Sequence, residues 1–327
     1  MKKIVILELG GTISSFSPDC TSEFYNHQGV SNAILINGLF QTSELEIICE
    51  FFCNKISHEL SLVDLLSLGN KIQDQVDDPD VFGVVISMGT NAMEDVAYFI
   101  GLVVNTSKNI VFTGSHFPQN SLMFDGKKNL YNAIVVASTQ FSQSLGVVIT
   151  LNDTVVSARW ATKSKPGLPN DFSAGGSGII GYIVGEVFHL HMIPKYKHTH
   201  ESEFSIRSIH SLPKIFILYA HLGLEAEILD CIINQSSIDG IVSAGYGKGY
   251  QTKEVSKVLY KATKKGIPVV RCARAGQSMT NIDVDYDCKY NFILAADLIP
   301  HKASILLAVC LSKMLTEQEI STVFQKY

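Results

Sequence analysis

The stretch that decides the fold is FGVVISMGTNAMEDVAYFI, residues 82–100. It opens with a continuous apolar run, which is typical of a strand covered on both faces in a parallel sheet. It continues with an apolar stripe at helical spacing, formed by Met93, Val96, Ala97 and Ile100. Such a stripe indicates a helix that packs one face against a core. A buried strand that passes directly into a helix is the building unit of an α/β sheet.

The same alternation recurs along the chain. Further runs rich in Val and Ile predict strands at 3–9, 109–114, 146–151, 214–219, 239–245 and 267–272. Segments of helical character lie between or after them, at 128–141, 252–265 and 302–314. Because strands and helices alternate, we predict an α/β, doubly wound architecture.

The length of 327 residues predicts about two domains. The character of the chain changes at 188–213, which is polar, bounded by proline and without a sustained period, and this predicts a linker. We therefore expect an N-terminal domain over 1–187 and a C-terminal domain over 214–327. Five of the ten histidines lie in the predicted linker. No acidic or cysteine partners stand at a recognisable ligand spacing, which favours solvated histidines over a metal site.

Composition argues against two classes of partner. The net charge of −5 and pI near 6.1 are unsuited to binding nucleic acid, which needs a basic face. No apolar segment approaches the roughly 18 residues of a membrane span.

The first apolar run is interrupted by Glu8 before it reaches the roughly 7–15 residues of the apolar region of a signal peptide. The seven cysteines form no CxxC pair, so reduced core thiols are expected. These features predict a cytoplasmic protein.

Ligands of doubly wound sheets lie beyond the carboxyl ends of the strands, so the residues there are candidates for chemistry. After the first strand, Gly10 and Gly11 permit a tight turn, and Thr12 follows with a hydroxyl. Neither G-x-G-x-x-G nor G-K-[ST] is present, which argues against a dinucleotide site and a P-loop. From these residues alone, Thr12 is either an ordinary helix cap or a nucleophile on a mobile loop.

Two further junctions carry candidates. Asn91 is a good N-cap, and Glu94 three residues later approximates a capping box, so the first junction is a sound helix start. That account leaves the hydroxyl of Thr90 without a role. Lys163 follows another predicted strand, and a lysine beside a threonine hydroxyl can act as a base when burial favours its neutral form.

Together these residues point to a family. The segments that carry the resemblance are, in order, GGTIS, VVISMGTNAMEDVAYF, TGSHFP…FDGKKNLYNAIVVA, GVVITLNDTVVSARWATK, GIVSAGYGKG and VVRCARAG. The chain closely resembles the bacterial-type L-asparaginases from end to end. The resemblance implies a larger N-terminal domain with a doubly wound, mainly parallel sheet and a smaller C-terminal α/β domain. It also implies hydrolysis of L-asparagine, and more slowly L-glutamine, without metal or cofactor. Such enzymes are typically homotetramers in which a neighbouring subunit completes each site.

The resemblance also implies roles for single residues. Thr12 matches the nucleophilic threonine, and Tyr25 matches a tyrosine on a loop that closes over the substrate. Ser57 matches the serine that holds the α-carboxylate of the substrate. Thr90 and Lys163 match a second threonine and the lysine beside it. A threonine hydroxyl would attack the amide carbon and form an acyl-enzyme that water then cleaves.

Backbone N–H groups near Gly89-Thr90 and Ser115 are candidate oxyanion donors. The residues predicted to bind substrate are Gly11, Ser57, His58, Gly89, Asn91 and Ser115.

Several positions depart from the family pattern. Asn91 stands where the family has an aspartate that binds the α-ammonium group of the substrate. Loss of that charge-assisted bond costs roughly 1.5–3 kcal/mol, or about 10- to 150-fold in affinity. His58 replaces the glutamine or other polar residue that commonly follows the serine in the family. Lys248 and Tyr250 stand in a stretch where the family often has asparagines. The resemblance also implies that an acidic residue of one subunit completes the site of its neighbour. Asp283 and Asp285 are the two candidates for this residue.

Three functions stay open at this point. The first is an L-asparaginase, and the second is an amidohydrolase of the same fold that acts on another small amide, for example one without a free α-ammonium group. The third is a non-catalytic relative that binds an amino acid. All three functions involve a small amide or an amino acid as the ligand. A homo-oligomer, either a dimer or a tetramer, is also expected.

Overall fold

The computed structural model describes residues 1–22, 25–26, 29–40, 45–141, 144–165, 167, 172–174, 178–276 and 280–327. The chain divides into two compact units, Met1–Ser208 and Ile209–Tyr327. Each unit has a central sheet with helices, so the predicted α/β class is confirmed.

The strands are β1 (Lys2–Glu8), β2 (Leu45–Phe51), β3 (Val81–Ser87), β4 (Asn109–Thr113), β5 (Val147–Leu151), β6 (Thr154–Ser157), β7 (Thr162–Lys163), β8 (Phe172–Ser173), β9 (Ile179–Val184), β10 (Val187–Leu190), β11 (Ile215–Tyr219), β12 (Gly240–Gly245), β13 (Val269–Ala273) and β14 (Ile293–Leu294). The α-helices are α1 (Ala33–Ile36), α2 (Leu62–Asp77), α3 (Met93–Val103), α4 (Gly126–Ser138), α5 (Ala226–Gln235), α6 (Lys253–Lys264), α7 (Val284–Tyr290), α8 (Pro300–Ser312) and α9 (Glu317–Phe324). All seven strands predicted from apolar runs and all four predicted helices are present.

The sheet of the first unit has the strand order β10-β9-β6-β5-β4-β3-β1-β2. Strands β2, β1, β3, β4 and β5 are parallel, and the remaining three join antiparallel. Every residue of β4 and β5 is buried, which explains why their sequences are continuously apolar rather than alternating.

Helix α4 covers one face of this sheet. Its buried residues Leu130, Ala133, Ile134 and Ala137 repeat at helical spacing and join one core cluster with residues of β1, β3 and β4. The helix lies so close to β3 that a Cβ added at Gly83 would meet the carbonyl oxygen of Ala137 at 2.4 Å. This packing seats α4 directly against the parallel strands of the sheet.

The segment predicted as a linker differs from that prediction. Residues 187–190 form β10, which pairs with β9, and the contacts divide the chain between Ser208 and Ile209 rather than across 188–213. The reason is that Phe188 and Leu190 alternate into the core of the first unit. Nor is every histidine of the segment solvated, because His198 packs against Gly146 and burial lowers the pKa of its ring.

The second unit has a parallel sheet of order β11-β12-β13-β14. Arg271 of β13 is fully buried, and its guanidinium donates to both carboxylate oxygens of Asp287 at 2.6 and 2.7 Å. The same group donates to the carbonyl oxygens of Lys248 and Asn281. One buried ion pair therefore ties β13 and α7 to two loops.

The Asp287→Ala variant should lower the free energy of unfolding of this unit by about 3–5 kcal/mol, because it leaves the Arg271 charge buried without a counter-charge. Urea unfolding followed by circular dichroism measures the loss. The matched control is Asp285→Ala on the exposed side of the same helix, for which a change within about 0.5 kcal/mol is expected. Equal effects of the two substitutions would contradict this prediction.

Candidate active site

The candidate site lies where the order of the parallel strands reverses. Strand β1 has β2 on one side and β3 on the other, so the connections leaving β1 and β3 diverge at their carboxyl ends. Crevices at such switch points are the usual ligand sites of open α/β sheets. The two threonines singled out from the sequence lie at this switch point, Thr12 after β1 and Thr90 after β3.

A close backbone contact joins the two threonine loops. Gly11 has φ +88° and ψ −171°, a conformation that is essentially restricted to glycine. A Cβ at this position would lie 2.3 Å from the backbone nitrogen of Gly89 and 2.5 Å from its Cα. Because neither loop carries a side chain here, the hydroxyls that follow them come into one cavity.

The Gly11→Ala variant is expected to lose about 10²-fold in kcat/KM, because relieving this overlap must displace one threonine loop by the order of 1 Å. A steady-state assay of the amide hydrolysis that the resemblance implies, followed by ammonia release, checks the loss. Gly38→Ala is the matched control, since Gly38 also has a positive φ but no atom within 4 Å of an added Cβ. A Gly11→Ala variant as active as the control would contradict the prediction.

Each threonine hydroxyl has a polar partner. Thr12 Oγ1 donates to Tyr25 Oη at 2.7 Å. Lys163 Nζ donates to Thr90 Oγ1 at 2.8 Å and to Asn91 Oδ1 at 2.8 Å. Both threonines are only 7% exposed. The structure thus brings all four predicted catalytic residues to one place, as two hydroxyl-centred pairs.

Lys163 is positioned through its backbone. It lies in the short strand β7, which pairs with β8, and its N–H donates to Glu94 Oε1 of α3 at 3.2 Å. Glu94 therefore serves to hold the lysine strand, a role that the sequence did not suggest.

Asn91 does not cap helix α3, contrary to the prediction from sequence. The N-cap is Ala92, without a side-chain hydrogen bond, and its N–H donates to Ser57 Oγ at 3.2 Å. The physical reason is that the Asn91 carboxamide is engaged elsewhere, by Lys163 on one side and by His58 Nδ1 at 3.3 Å on the other.

These residues surround a cavity of about 190 Å³. Its walls contain the predicted residues Gly11, Thr12, Tyr25, Ser57, Gly89, Thr90, Asn91, Ser115 and Lys163. His58 is not among the lining residues that the structure describes, and it reaches the site only through Asn91.

The sequence reasoning missed other lining residues, namely Ile56, His116, Phe117, Pro118 and Gly167. Three of them follow β4, so the strand-end rule could have indicated their loop. Asp125 anchors it, because this carboxylate accepts the N–H groups of His116 and Phe117.

A larger cavity of about 1130 Å³ lies at the opposite, amino-terminal edge of the sheet. It is lined by the first residues of β1 and β3 and contains none of the predicted site residues. We therefore assign chemistry to the smaller cavity at the switch point. Among the described residues, no three His, Cys, Asp or Glu side chains are grouped as metal ligands, and no helix is long and apolar enough to cross a membrane.

Two family models match the chain. The N-terminal asparaginase model matches residues 3–195, and the glutaminase/asparaginase C-terminal domain model matches residues 214–324. The chain belongs to the asparaginase family of amidohydrolases. The resemblance inferred from six sequence segments is thereby confirmed, as is the architecture of a larger, mainly parallel N-terminal sheet and a smaller C-terminal one.

Individual relatives share the whole length of the asparaginase-family chain. L-asparaginase 2 of Escherichia coli is 33% identical, over 100% of this chain and 94% of its own. A probable periplasmic L-asparaginase of Haemophilus influenzae is 32% identical, over 100% of this chain and 93% of its own. The crystal structure of a probable cytoplasmic L-asparaginase from Campylobacter jejuni superposes with a TM-score of 0.93, at 31% identity and full coverage of both chains. Other relatives are named glutaminase-asparaginase.

Proposed function

We propose that this protein hydrolyses the side-chain amide of L-asparagine to L-aspartate and ammonia. The observation that carries the proposal is the pair of buried threonine hydroxyls in one cavity, each hydrogen-bonded to a group that can pass a proton. The names of the relatives support the amide as the bond that is cleaved.

Thr12 is the proposed nucleophile. Its Oγ1 attacks the amide carbon, and the hydroxyl proton passes through Tyr25 Oη, to which it is already bonded at 2.7 Å, towards the leaving nitrogen. A bond forms between Thr12 Oγ1 and the carbon, the C–N bond breaks, and ammonia leaves. The product of this half-reaction is an acyl-enzyme on Thr12.

Thr90 and Lys163 are proposed to serve the second half-reaction. Neutral Lys163 would take a proton from a water molecule through Thr90 Oγ1, and the resulting hydroxide would attack the acyl carbon. The bond to Thr12 then breaks, and Thr12 recovers its proton. Backbone N–H groups near Gly89-Thr90 and Ser115 are the proposed donors to the oxyanion in both steps.

Substrate binding is proposed for the remaining wall of the cavity. Ser57 is the candidate for the α-carboxylate, since its hydroxyl can donate while its oxygen accepts from Ala92. Gly11 and Gly89 have no side chain, so the substrate can approach the backbone closely there. Asn91, which is hydrogen-bonded to His58, is proposed to contact a further substituent of the substrate.

Ammonia release from L-asparagine tests the proposal directly. Purified protein should convert L-asparagine to equimolar aspartate and ammonia, with L-glutamine a slower substrate because it is one methylene longer. A protein that binds L-asparagine saturably without releasing ammonia would be a non-catalytic relative, and the proposal would fail.

A homo-oligomer, either a dimer or a tetramer, and a cytoplasmic location are proposed with this function. Size-exclusion chromatography with light scattering, and fractionation of the source cells, test the two. Asp283, one candidate for completing a neighbouring site, caps α7 through the Tyr286 N–H and accepts from the Tyr250 hydroxyl, and these bonds hold its pKa below the usual range. Asp285 is exposed. The completion of a neighbouring site by either residue stays a prediction.

A further inference from the structure

The position of Tyr25 depends on contacts outside the cavity. Residues 13–22 lead away from Thr12, and the chain returns at Tyr25, whose hydroxyl accepts from Thr12 Oγ1 at 2.7 Å. Among the described residues between Ser15 and Asn32, none belongs to a helix or to a strand longer than a single bridge. Tertiary contacts must therefore place the tyrosine.

A single bridge fixes the residue that follows Tyr25. Phe16 and Asn26 pair antiparallel, and the Asn26 N–H donates to the Phe16 carbonyl oxygen at 3.0 Å. Further along, the Val30 N–H donates to the Ser14 carbonyl oxygen at 3.0 Å. The outgoing and the returning backbone are thus held side by side, so the place of Tyr25 follows the place of Phe16.

Asn120 holds the next residue along the outgoing backbone, Ser17. The Asn120 Oδ1 atom accepts the Ser17 N–H at 2.9 Å, and its Nδ2 atom donates to the Ser17 carbonyl oxygen at 2.9 Å. One carboxamide therefore pairs with both backbone groups of one residue, as a neighbouring strand does at a hydrogen-bonded pair. Since Ser17 is buried, these backbone groups need such a partner.

The neighbours of Asn120 extend this contact along the outgoing backbone. The Gln119 N–H donates to the Ser15 carbonyl oxygen at 2.9 Å, and the Gln119 side chain donates to that of Ile13 at 2.8 Å. The Leu122 N–H donates to the Cys20 carbonyl oxygen at 3.2 Å. Residues 119–122 thus form a seat along which residues 13–20 lie.

This seat belongs to the loop between β4 and α4, which also forms part of the cavity. Residues 115–118 of the loop line the cavity, and Asp125 anchors them by accepting the N–H groups of His116 and Phe117 at 3.0 and 3.2 Å. Asn120 is not among the described lining residues. Its effect on a reaction in the cavity must therefore pass through the segment that it holds.

We infer that Asn120 is a positioning residue for Tyr25. The inference rests on the proposed amide hydrolysis and adds to it a residue outside the cavity. Asn120 holds Ser17, and the adjacent bridge passes this constraint to the residue after Tyr25. Without the carboxamide, the Tyr25 hydroxyl is displaced from Thr12, and the proton transfer assigned to it becomes slower.

Ammonia release from L-asparagine by Asn120→Ala measures this effect in two backgrounds. In the wild-type background we expect kcat to fall roughly 10- to 100-fold, the loss that accompanies a misplacement of about 1 Å. In the Tyr25→Phe background the same substitution should change kcat by less than about threefold, because the hydroxyl that Asn120 positions is already gone. Equal losses in both backgrounds, or a wild-type rate for Asn120→Ala, would overturn the inference.

Two further variants distinguish positioning from a general loss of structure. Asn120→Asp keeps the size and the acceptor for the Ser17 N–H but places an oxygen against the Ser17 carbonyl, so it should lose at least as much activity as Asn120→Ala. Asn234→Ala removes an exposed carboxamide that also has two hydrogen-bond partners, outside the cavity, and should keep the wild-type kcat. A fully active Asn120→Asp, or an equal loss in Asn234→Ala, would contradict the role of Asn120.

Limited proteolysis separates this inference from the proposed function, because it needs no turnover. Chymotrypsin cleaves after Phe16 and Tyr25, and the rate follows the open fraction of the segment when closing is faster than cleavage. Loss of two hydrogen bonds in Asn120→Ala should raise the rate roughly 5- to 150-fold, and Asn234→Ala should leave it unchanged. If cleavage rises while the wild-type protein releases no ammonia, the proposed function fails and the hold of Asn120 on the Tyr25 segment stands. Unchanged cleavage in Asn120→Ala would overturn the inference whatever the activity.

Discussion

The Thr12→Ala variant should lose at least about 10³-fold in kcat for ammonia release, because no other step can form the acyl bond once the nucleophilic oxygen is gone. The fold should not change, since the side chain is small and its hydroxyl bonds to that of Tyr25. Steady-state release of ammonia and a thermal melt of the same preparation check both statements.

Thr12→Ser is the matched control for this loss. It keeps the hydroxyl and removes only a methyl group, so activity within about tenfold of wild type is expected. Acid quench in the steady state, followed by peptide mapping, should find the acyl group on the peptide that carries Thr12. An acyl group on Thr90, or full activity of Thr12→Ala, would show that the nucleophile has been assigned to the wrong loop.

Much of the fold could be predicted because burial of parallel strands leaves a direct trace in sequence. Strands β3 and β5 are continuous apolar runs since helices cover both their faces. Strands β9 and β10 were not predicted, because they are short, antiparallel and only partly buried, and a polar segment follows them. The same polarity made 188–213 resemble a linker, although Phe188 packs into the core.

The sequence predicted which residues form the candidate site better than it predicted the contacts between them. The strand-end rule singled out Thr12, Thr90 and Lys163, and the structure brings these residues to one cavity. It could not show that Asn91 turns away from the helix, because the competing partners His58 and Lys163 lie 33 and 72 residues away along the chain. Local capping preference is worth only about 1 kcal/mol, and two tertiary hydrogen bonds outweigh it.

In the proposed mechanism the two threonines serve different half-reactions, and they lie on two different strand connections at the switch point. Thr12 belongs to the loop of β1 and Thr90 to that of β3, and the two loops pass close to each other at Gly11 and Gly89. The proposed nucleophile therefore depends on one connection, and the hydroxyl proposed to relay a proton to Lys163 depends on another. A substitution that breaks only one half-reaction should leave the other measurable.

The Lys163→Met variant should lose roughly 10³-fold in kcat, the usual contribution of a positioned general base. Met matches the length and apolar stem of the lysine, so packing beside Thr90 is kept while the amine is lost. Because the lysine is assigned to deacylation, the acyl-enzyme should accumulate. A burst of ammonia equal to the enzyme concentration should precede the slow steady state in rapid-quench measurements.

Lys163→Arg separates a base from a fixed positive charge. Arginine keeps the charge beside Asn91 but stays protonated, so it should restore little of the lost rate if the lysine works as a base. Added small amines should in turn rescue Lys163→Met, since they can enter the vacated space and accept the proton. An Arg variant near wild-type rate would mean that the charge is what matters. The absence of a burst in Lys163→Met would instead place the lysine in the acylation step, together with Thr12.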